Sequence, residues 1–419
     1  TAGSQASMKT EPTDKPSVRA MPAAISAITA TSCLGAGMDA LRQGLQQGRT
    51  GLTRHDFLDC AFNTCLGEVA GLDAHALPAA LQAHDCRNNR LADLALGQDG
   101  FTDAVAAARN TYGAHRVGVF LGSSTSGLLQ TELAYRRRDA QGRLPADLDY
   151  QHTQNMFSLA GYVAARLELT GPQSVTSVAC ASGAKVFATA ARALAAGLID
   201  AAVVGGVDTL CLTTLYGFSS LELLSDDICR PFDAGRNGIT IGEAGAFALL
   251  ERVDAPRLQD QACPLLAGFG ESSDAHHMST PHPEGLGARA AMQQALQRAG
   301  CTPADIDYIN LHGTATPSND ASEDAAVANL FGPATPVSST KGAHGHTLGA
   351  AGALEAAICL IALADGLMPG GLNVRQLDPQ LKSHFLTAPT PRELTTVMSN
   401  SFGFGGANAA LVFCKAGRA

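Results

Sequence analysis

Short continuous apolar runs alternate along the chain with longer segments in which apolar residues recur every three or four positions. The runs include AAISAITATS, RVGVFLG, AAVVGGVDTL and GEAGAFALLERV. Uninterrupted hydrophobicity of this kind is typical of strands in a sheet that helices cover on both faces. The longer segments, such as KVFATAARALAAG, have the periodicity of packed helices. The pattern therefore predicts an α/β fold.

Two segments in different halves of the chain share one layout. SVACASGAKVFATAARALAAG and SSTKGAHGHTLGAAGALEAAICLIALADG each consist of a predicted strand, a loop of small residues and a long Ala-rich helix. A repeated strand–loop–helix unit indicates an internally duplicated architecture. We therefore divide the chain into a first half at 21–256 and a second half at 257–415. A polar, Pro-containing leader at 1–20 precedes them, and we expect it to be disordered.

Composition argues against several classes of function. The net charge of −9 leaves no basic surface of the extent that general nucleic-acid binding needs. The eleven cysteines are scattered singly, without a C-x-x-C pair or a His/Cys cluster at zinc spacing, which suits a reducing compartment and predicts no metal site. We find no run long enough to span a membrane, no signal-peptide core and no nucleotide-binding glycine motif. We expect a cytoplasmic protein without a cofactor.

Cys180 lies among small residues where SVTSV, which we predict to be a buried strand, gives way to a helix. A thiol there is either a buried packing residue, as many free cysteines are, or a nucleophile whose thiolate is favoured by the helix dipole. Two histidines at comparable strand-to-loop junctions support the second interpretation: His312 in NLHGTATPSND and His346 in STKGAHGHTLGAAG. Spacing alone does not separate His346 from its neighbour His344.

An ionisable pair accompanies these histidines. Lys341 precedes His346 by five residues, and Glu355 lies in the helix that follows. Because an unpaired charge in so apolar a segment is costly, we expect the lysine and the glutamate to pair. The pair is either a structural ion pair or part of a catalytic site.

Four segments in this order, SVACASGA, NLHGTATPSND, SSTKGAHGHTLGAAGALE and NSFGFGGAN, resemble motifs of the β-ketoacyl-[acyl-carrier-protein] synthases of the KAS I/II class. RPFDAGRNGITIGEAGAFALLE is similar to a fifth, and the resemblance extends from about residue 23 to 413. It implies a thiolase-like fold, a five-layered αβαβα sandwich of two duplicated halves, and a homodimer. It also implies decarboxylative Claisen condensation of an acyl group with malonyl-acyl carrier protein.

The resemblance assigns roles to the candidate residues. Cys180 would carry the acyl group, and the backbone N–H groups of Cys180 and Phe404 would form its oxyanion hole. His312 and His346 would stabilise the enolate that malonyl decarboxylation leaves. The motif around the second histidine matches His346 rather than His344.

Further residues would support the reaction or contact the substrate. Lys341, with Glu355, would orient the histidine site. Thr314 and Thr316 would help hold the pantetheine or malonyl group, unless their hydroxyls only cap the loop. The remaining candidates are Phe404 as a gate between acyl pocket and extender site, Phe402 as a structural neighbour of the substrate, and Thr125, a polar residue near the acyl pocket.

Some features depart from the housekeeping fatty-acid enzymes. HGTATPSND stands where those enzymes usually have HGTSTP-x-GD, and the segment 272–285 carries three histidines. These features resemble synthases of specialised pathways, including bacterial aryl-polyene synthesis. Ordinary drift in surface loops is the alternative explanation.

The resemblance implies an acidic acyl carrier protein as partner. Because this chain is acidic too, docking requires a local basic patch. YRRRDAQGR supplies one in Arg136, Arg137, Arg138 and Arg143, which either dock the carrier or form a solvated charge run. A paralogue of the chain-length-factor kind is an alternative to the second copy in a homodimer.

Three other functions stay open. A non-catalytic chain-length-factor-like subunit shares the fold but typically lacks the cysteine, which is present here. A thiolase acting on coenzyme A esters would use a Cys/His/Cys arrangement, which the paired histidines and NSFGFGGAN disfavour. A cysteine hydrolase is disfavoured because its local signature and order of histidines are missing.

Overall fold

The computed structural model describes residues 20–62, 64–259 and 261–417. Its strands are β1 (Ala23–Ser32), β2 (Gly35–Ala36), β3 (Thr53–His55), β4 (Thr64–Gly67), β5 (Val117–Gly122), β6 (Gln173–Thr176), β7 (Ala201–Asp208), β8 (Ile241–Gly242), β9 (Ala244–Arg252), β10 (Leu265–Ser273), β11 (Tyr308–Asn310), β12 (Pro336–Ser338), β13 (Leu367–Met368), β14 (His384–Phe385), β15 (Thr390–Pro391), β16 (Thr396–Phe402) and β17 (Ala407–Cys414). Its α-helices are α1 (Met38–Gln46), α2 (Arg87–Leu96), α3 (Phe101–Tyr112), α4 (Leu128–Arg136), α5 (Ser158–Arg166), α6 (Ser182–Ala195), α7 (Leu212–Ser220), α8 (Leu286–Ala299), α9 (Pro317–Phe331), α10 (Lys341–His344) and α11 (Ala351–Asp365).

Two sheets with the same strand pattern form the centre of the fold. The first has the order β6-β5-β7-β9-β1, and the second has the order β12-β11-β16-β17-β10 with β14 beyond β12. In each sheet the first three strands of that order run parallel and the last three antiparallel. The sheets join where Ala23 and Ala24 pair with Leu266 and Leu265. The chain therefore consists of two duplicated halves, as predicted.

Helices pack on both faces of each sheet. α6 and α11 contact each other between the two sheets, α2, α3 and α5 cover the first sheet, and α8, with α9 beside it, covers the second. Along β7 the side chains alternate, so that Val203 and Val204 enter different hydrophobic clusters. Apolar faces on both sides explain the continuous hydrophobicity of these strands. The predicted αβαβα sandwich is confirmed.

The central position of α11 explains a segment that the sequence analysis misjudged. Leu348–Asp365 is long and apolar enough to cross a membrane, whereas we expected no such run. It lies between the sheets with 89% of it buried. A helix that is covered on every side needs no polar face, so its hydrophobicity is that of a core helix.

Three further predictions concern the strand before Cys180, the leader and the boundary between the halves. β6 is an edge strand whose residues are partly exposed, whereas the sequence suggested a buried strand. The predicted leader at 1–20 lies outside the described residues except for Ala20, whose N–H donates to the Arg298 carbonyl. We retain the boundary after residue 256 as a proposal, since β9 ends at Arg252 and β10 begins at Leu265.

The contact between α8 and β10 gives a test of the outer layer. A Cβ at Gly270 would lie 1.8 Å from the Ala291 carbonyl oxygen, so Gly270→Ala must displace α8 from the sheet. We expect this overpacking to lower the free energy of unfolding by about 1–3 kcal/mol, measured by urea denaturation. In the control Gly217→Ala, on α7, the new Cβ meets no atom within 4 Å and Ala favours the helix. Equal destabilisation by both changes would contradict this packing.

Candidate active site

Three buried side chains from different loops meet at one place. Cys180 precedes α6, His312 follows β11, and His346 lies between α10 and α11. His346 Nε2 lies 3.0 Å from Cys180 Sγ, and the two imidazole rings stand nearly perpendicular with centroids 5.3 Å apart. The loops converge because β6 and β12 are equivalent strands of the duplicated halves, and the helices that follow them pack together.

A tight turn holds Cys180 at the start of α6. Ala179 has a left-handed backbone with φ of 51°, and the Ser182 hydroxyl donates to its carbonyl at 2.6 Å. Gly403 packs directly on this turn, since a Cβ there would lie 3.1 Å from the Cys180 nitrogen. This close approach explains a glycine at that point of NSFGFGGAN, and it brings the backbone N–H of Phe404 to the Cys180 thiol.

The ionisation of Cys180 differs from the expectation. Burial raises the pKa of its thiol from 9.0 to about 11, although the Lys341 ammonium and the Phe404 backbone N–H act in the opposite direction. The thiol is therefore mostly protonated at neutral pH. Desolvation of the charged form outweighs the stabilisation of a thiolate that we expected at the helix N-terminus.

Both histidines present N–H groups to the cavity. The Leu348 backbone N–H donates to His346 Nδ1 at 3.3 Å, and the Lys341 ammonium lies 3.5 Å from His312 Nδ1. Because each Nδ1 faces a donor, we assign the proton of each neutral ring to Nε2. Burial and the nearby Lys341 lower the pKa of both histidines well below the usual value, so both are neutral.

The same three side chains have the spacing of a metal site. Their ligand atoms lie within 4.8 Å of one another, and cysteine with two histidines is a ligand set that zinc accepts. A metal requires a lone pair on the imidazole nitrogen that binds it. Here the hydrogen bonds at Nδ1 leave Nε2 protonated, so the site is arranged to donate hydrogen bonds.

A buried ion pair lies behind the histidines. The Lys341 ammonium donates to the Glu355 carboxylate and to the His312 carbonyl oxygen, and both charged side chains are fully buried. Burial raises the pKa of Glu355 to about 7, with Lys341 opposing the rise. The predicted pairing is present, and its hydrogen bonds reach His312 directly.

His344 has no part in this constellation. Its Nδ1 lies 2.8 Å from the Gly345 carbonyl and its Nε2 3.1 Å from the Thr340 hydroxyl. Burial and Lys341 lower its pKa to about 3. The structure therefore brings His346, and not His344, to the cysteine.

Sequence reasoning missed a carboxylate that holds the His312 loop. Glu323, in α9, accepts the backbone N–H groups of His312 at 2.8 Å and Gly313 at 2.7 Å. The Asn400 amide donates to the same carboxylate at 3.1 Å. Glu323 lies among the acidic residues of α9, PSNDASEDAAVANLF, and no local pattern indicates that its partner is the backbone eleven residues earlier.

The three side chains open into a cavity that both apolar and polar residues line. Its apolar lining residues include Phe218, Leu223, Ile239 and Phe404, and the rings of Phe218 and Phe404 lie 5.8 Å apart. Its polar lining residues include Thr314, Thr316, Ser318, Asn319, Asp274, His277, Ser279 and Thr280. Phe402 lines the cavity beside His312, with ring centroids 6.1 Å apart.

Thr314 and Thr316 line the cavity, and the capping that was the alternative to substrate binding is present at Thr316. Their hydroxyls lie 3.0 Å apart. The Thr316 hydroxyl also accepts the Asn319 backbone N–H at 3.4 Å as the N-cap of α9. Capping fixes the loop and leaves both residues at the cavity wall.

Two groups of candidates do not join the site in the described residues. Thr125 does not line the cavity; its hydroxyl donates to Asp208 at 2.8 Å. The arginines of YRRRDAQGR lie at and after the end of α4, and most face carboxylates: Arg136 contacts Asp59, Arg137 contacts Asp147, and Arg143 contacts Asp139. The Arg138 guanidinium lies over the Tyr135 ring. Such pairing reduces the basic character that carrier docking would use.

Models of two families match the chain. The Beta-ketoacyl synthase, N-terminal domain, matches residues 81–255, and the Beta-ketoacyl synthase, C-terminal domain, matches residues 264–375. The 3-oxoacyl-[acyl-carrier-protein] synthase 2 of Staphylococcus aureus is 34% identical over 76% of this chain and 82% of its own length. The mitochondrial 3-oxoacyl-[acyl-carrier-protein] synthase of Arabidopsis thaliana is 39% identical over 61% of this chain, which spans 59% of that protein.

Solved structures agree with the fold. A chain from the complex of the ketosynthase ApeO with its chain length factor ApeC, from Xenorhabdus doucetiae, has a TM-score of 0.86 and 39% identity, covering 96% of this chain and 100% of that chain. A beta-ketoacyl synthase from Burkholderia phymatum has a TM-score of 0.83 and 29% identity, covering 94% of this chain and 99% of that one.

The Glu323 carboxylate gives the site a testable pH dependence. Burial raises its pKa from 4.5 to about 7, so the folded protein keeps a proton that the unfolded chain releases near pH 4.5. The contribution of this proton to the free energy of unfolding is therefore full at low pH and is lost as the pH rises through 7. Because Glu323→Gln cannot titrate, the free energy of unfolding of the wild type minus that of the variant should fall by about 3 kcal/mol between pH 4 and 8. Urea denaturation measures it, with the exposed Glu168→Gln as control; a constant difference would contradict the shift.

Proposed function

Because the chain belongs to the β-ketoacyl synthase family, we propose that it condenses an acyl group with malonyl-acyl carrier protein and releases 3-oxoacyl-acyl carrier protein, carbon dioxide and free carrier. Cys180 carries the acyl group, and His312 and His346 activate the extender. The observation that supports this best is the pair of neutral Nε2–H donors beside the cysteine thiol. Two such donors aimed at one point suit an oxygen on which negative charge develops.

In the first half-reaction the Cys180 sulfur attacks the carbonyl carbon of the acyl thioester. The backbone N–H groups of Cys180 and Phe404 stabilise the oxyanion of the tetrahedral intermediate. The carbon–sulfur bond to the carrier breaks, and the proton of the Cys180 thiol passes to the departing carrier thiolate. The step requires the thiolate form of Cys180, and the raised pKa of the thiol makes that form scarce at neutral pH.

In the second half-reaction the malonyl carboxylate leaves as carbon dioxide. The electron pair of the broken bond forms an enolate whose oxygen accepts hydrogen bonds from His312 and His346; each such donor lowers the barrier by about 3–4 kcal/mol. The enolate carbon attacks the acyl carbonyl on Cys180, and the Cys180 thiolate departs. That thiolate then takes a proton from solvent, which returns the enzyme to its starting state.

Lys341 and Glu355 act through His312. The ammonium faces His312 Nδ1 and therefore keeps the proton of that ring on Nε2. Glu355 neutralises the ammonium in the interior. Phe404 lines the cavity against Phe218, and movement of its ring opens the path between the acyl and extender positions. Thr314 and Thr316, which also line the cavity, hold the pantetheine or malonyl group.

The alternatives fit the site less well. A non-catalytic chain-length-factor-like subunit needs no cysteine within hydrogen-bond distance of a histidine, yet Cys180 and His346 are 3.0 Å apart. In the described part of the chain, the cavity pairs one cysteine with two histidines, whereas a thiolase would use a second cysteine.

We also propose an acyl carrier protein as substrate carrier and a second subunit as partner. Similarity to a chain of a complex between a ketosynthase and its chain length factor supports a heterodimer with such a paralogue, and a homodimer is the alternative. Eleven free cysteines support a reducing compartment, and thus the cytoplasm.

Substitutions at the cysteine and at a histidine should separate the two half-reactions. Cys180→Ser should form no acyl adduct with acyl carrier protein, because a serine hydroxyl is a far weaker nucleophile than a thiol. His346→Ala should still be acylated but should lose about 10²–10³-fold in malonyl decarboxylation. Intact-mass spectrometry and carbon dioxide release measure these steps, and Cys263→Ser, remote from the cavity, is the control. Condensation retained by either active-site variant would refute the assignment.

We further propose that the enzyme acts in a specialised pathway of the aryl-polyene kind, and the selectivity for acyl primers tests this assignment. Carrier proteins bearing saturated, aryl and polyunsaturated acyl groups should load Cys180 at different rates, with the aryl or polyunsaturated primers fastest. The aromatic wall of Phe218 and Phe404 favours flat, conjugated chains through ring contacts. Intact-mass time courses measure loading. Preferential loading of saturated primers, consumed when malonyl carrier is added, would place the enzyme in ordinary fatty-acid elongation.

A further inference from the structure

A buried carboxylate outside the cavity connects the loops of Cys180 and His346. Asp208 ends β7 and is fully buried. It accepts hydrogen bonds from the Ser123 hydroxyl at 2.7 Å, the Thr125 hydroxyl at 2.8 Å and the backbone N–H groups of Ser124 at 2.8 Å, Thr125 at 2.9 Å and Gly349 at 2.6 Å. Every partner is a donor, so the carboxylate acts solely as an acceptor.

The donors of residues 123–125 connect Asp208 to the turn that holds the nucleophile. The 123–125 loop that Asp208 holds places the Ser124 hydroxyl 3.3 Å from the Ala179 carbonyl, to which it donates. Ala179 is the left-handed residue immediately before Cys180. Because a left-handed alanine is strained, its position depends on contacts of this kind.

The other donor leads to the histidine. Gly349 follows Leu348, whose N–H fixes His346 Nδ1. Gly349 also lies against the first turn of α6, since a Cβ on Gly183 would be 2.7 Å from the Gly349 carbonyl oxygen. The Asp208 carboxylate therefore lies between the two segments whose separation determines the distance from Cys180 Sγ to His346 Nε2.

We propose that Asp208 is a positioning residue that sets the geometry between Cys180 and His346. It does not line the cavity among the described residues and acts through Ser124 and Gly349. The proposal rests on the proposed function for the roles of the two site residues. It also explains why the chain buries a carboxylate here. Both oxygens of Asp208 accept backbone N–H groups, so the amide nitrogen of an asparagine would face a backbone N–H whichever way the amide was turned.

Asp208→Asn tests the proposal, with Asp324→Asn as the matched control. Asp324 is also a buried carboxylate that accepts backbone N–H groups, from Lys382 and Ser383, but neither it nor these partners line the cavity. The readout is the pH profile of Cys180 alkylation by iodoacetamide, followed on the Cys180 peptide by mass spectrometry. Alkylation needs no acyl carrier protein, so it tests positioning even if the wild type fails to condense.

We expect Asp208→Asn to shift the alkylation profile to higher pH, because a displaced His346 no longer donates to the Cys180 sulfur. Where wild-type condensation is present, it should fall by about 10- to 100-fold. Asp324→Asn should lose stability without moving the profile. An unchanged profile in folded Asp208→Asn would overturn the proposal. A shift to lower pH would also overturn it, because loss of the Asp208 negative charge alone favours the Cys180 thiolate.

Ser124→Ala keeps the proposal testable if Asp208→Asn does not fold. It removes only the hydrogen bond to the Ala179 carbonyl and leaves the Asp208 contacts with backbone N–H groups in place. We expect a smaller shift of the alkylation profile in the same direction. A wild-type profile in this variant would overturn the connection from Asp208 to the nucleophile.

Discussion

Burial of the Lys341 ammonium has a cost that only paired and hydrogen-bonded groups can offset. The Glu355 carboxylate and the His312 carbonyl provide these groups, and they come from different elements of the second half. The pair therefore requires α10, α11 and the loop after β11 to be assembled together. Once assembled, burial and the same ammonium together lower the pKa of both active-site histidines, and the ammonium fixes the proton of His312. The ion pair that allows Lys341 to be buried thus also influences the protonation of the histidines in the cavity.

Much of the fold could be predicted because duplication leaves a visible trace in the sequence. The apolar runs became β1, β5, β7 and β9, and the two similar segments became the strands β6 and β12 with the loops and central helices that follow them. Prediction failed where position depended on the assembled layers. The apolarity of α11 and the exposure of β6 follow from their places at the centre and at the edge, and neither place can be inferred from a local window.

The site shows the same division. Cys180, His312, His346 and Lys341 occur in segments whose motifs carry family resemblance, and the structure brings them together. Glu323 lies in a helix and Asp208 at the end of a strand without a distinctive motif, and many of their partners are backbone N–H groups of other segments. Backbone donors have no residue type, so no pattern in the sequence identifies which carboxylate they bind. For Thr125, Arg136 and Arg137 the reason is different: their partners Asp208, Asp59 and Asp147 are side chains outside the local segment, so only the fold brings them together.

Under the proposed mechanism, the raised pKa of Cys180 opposes reversal of the condensation. Condensation ends with the Cys180 thiolate facing a 3-oxoacyl thioester, and attack by that thiolate on the new ketone would reverse the reaction. A thiol with a pKa of about 11 recaptures a proton at neutral pH and so loses its nucleophilic form. A low pKa would speed acyl transfer and would also leave a reactive thiolate beside the product. Burial of the thiol therefore slows acyl transfer in the first half-reaction and protects the 3-oxoacyl product from attack after the second. The loss of carbon dioxide prevents the return to the malonyl thioester.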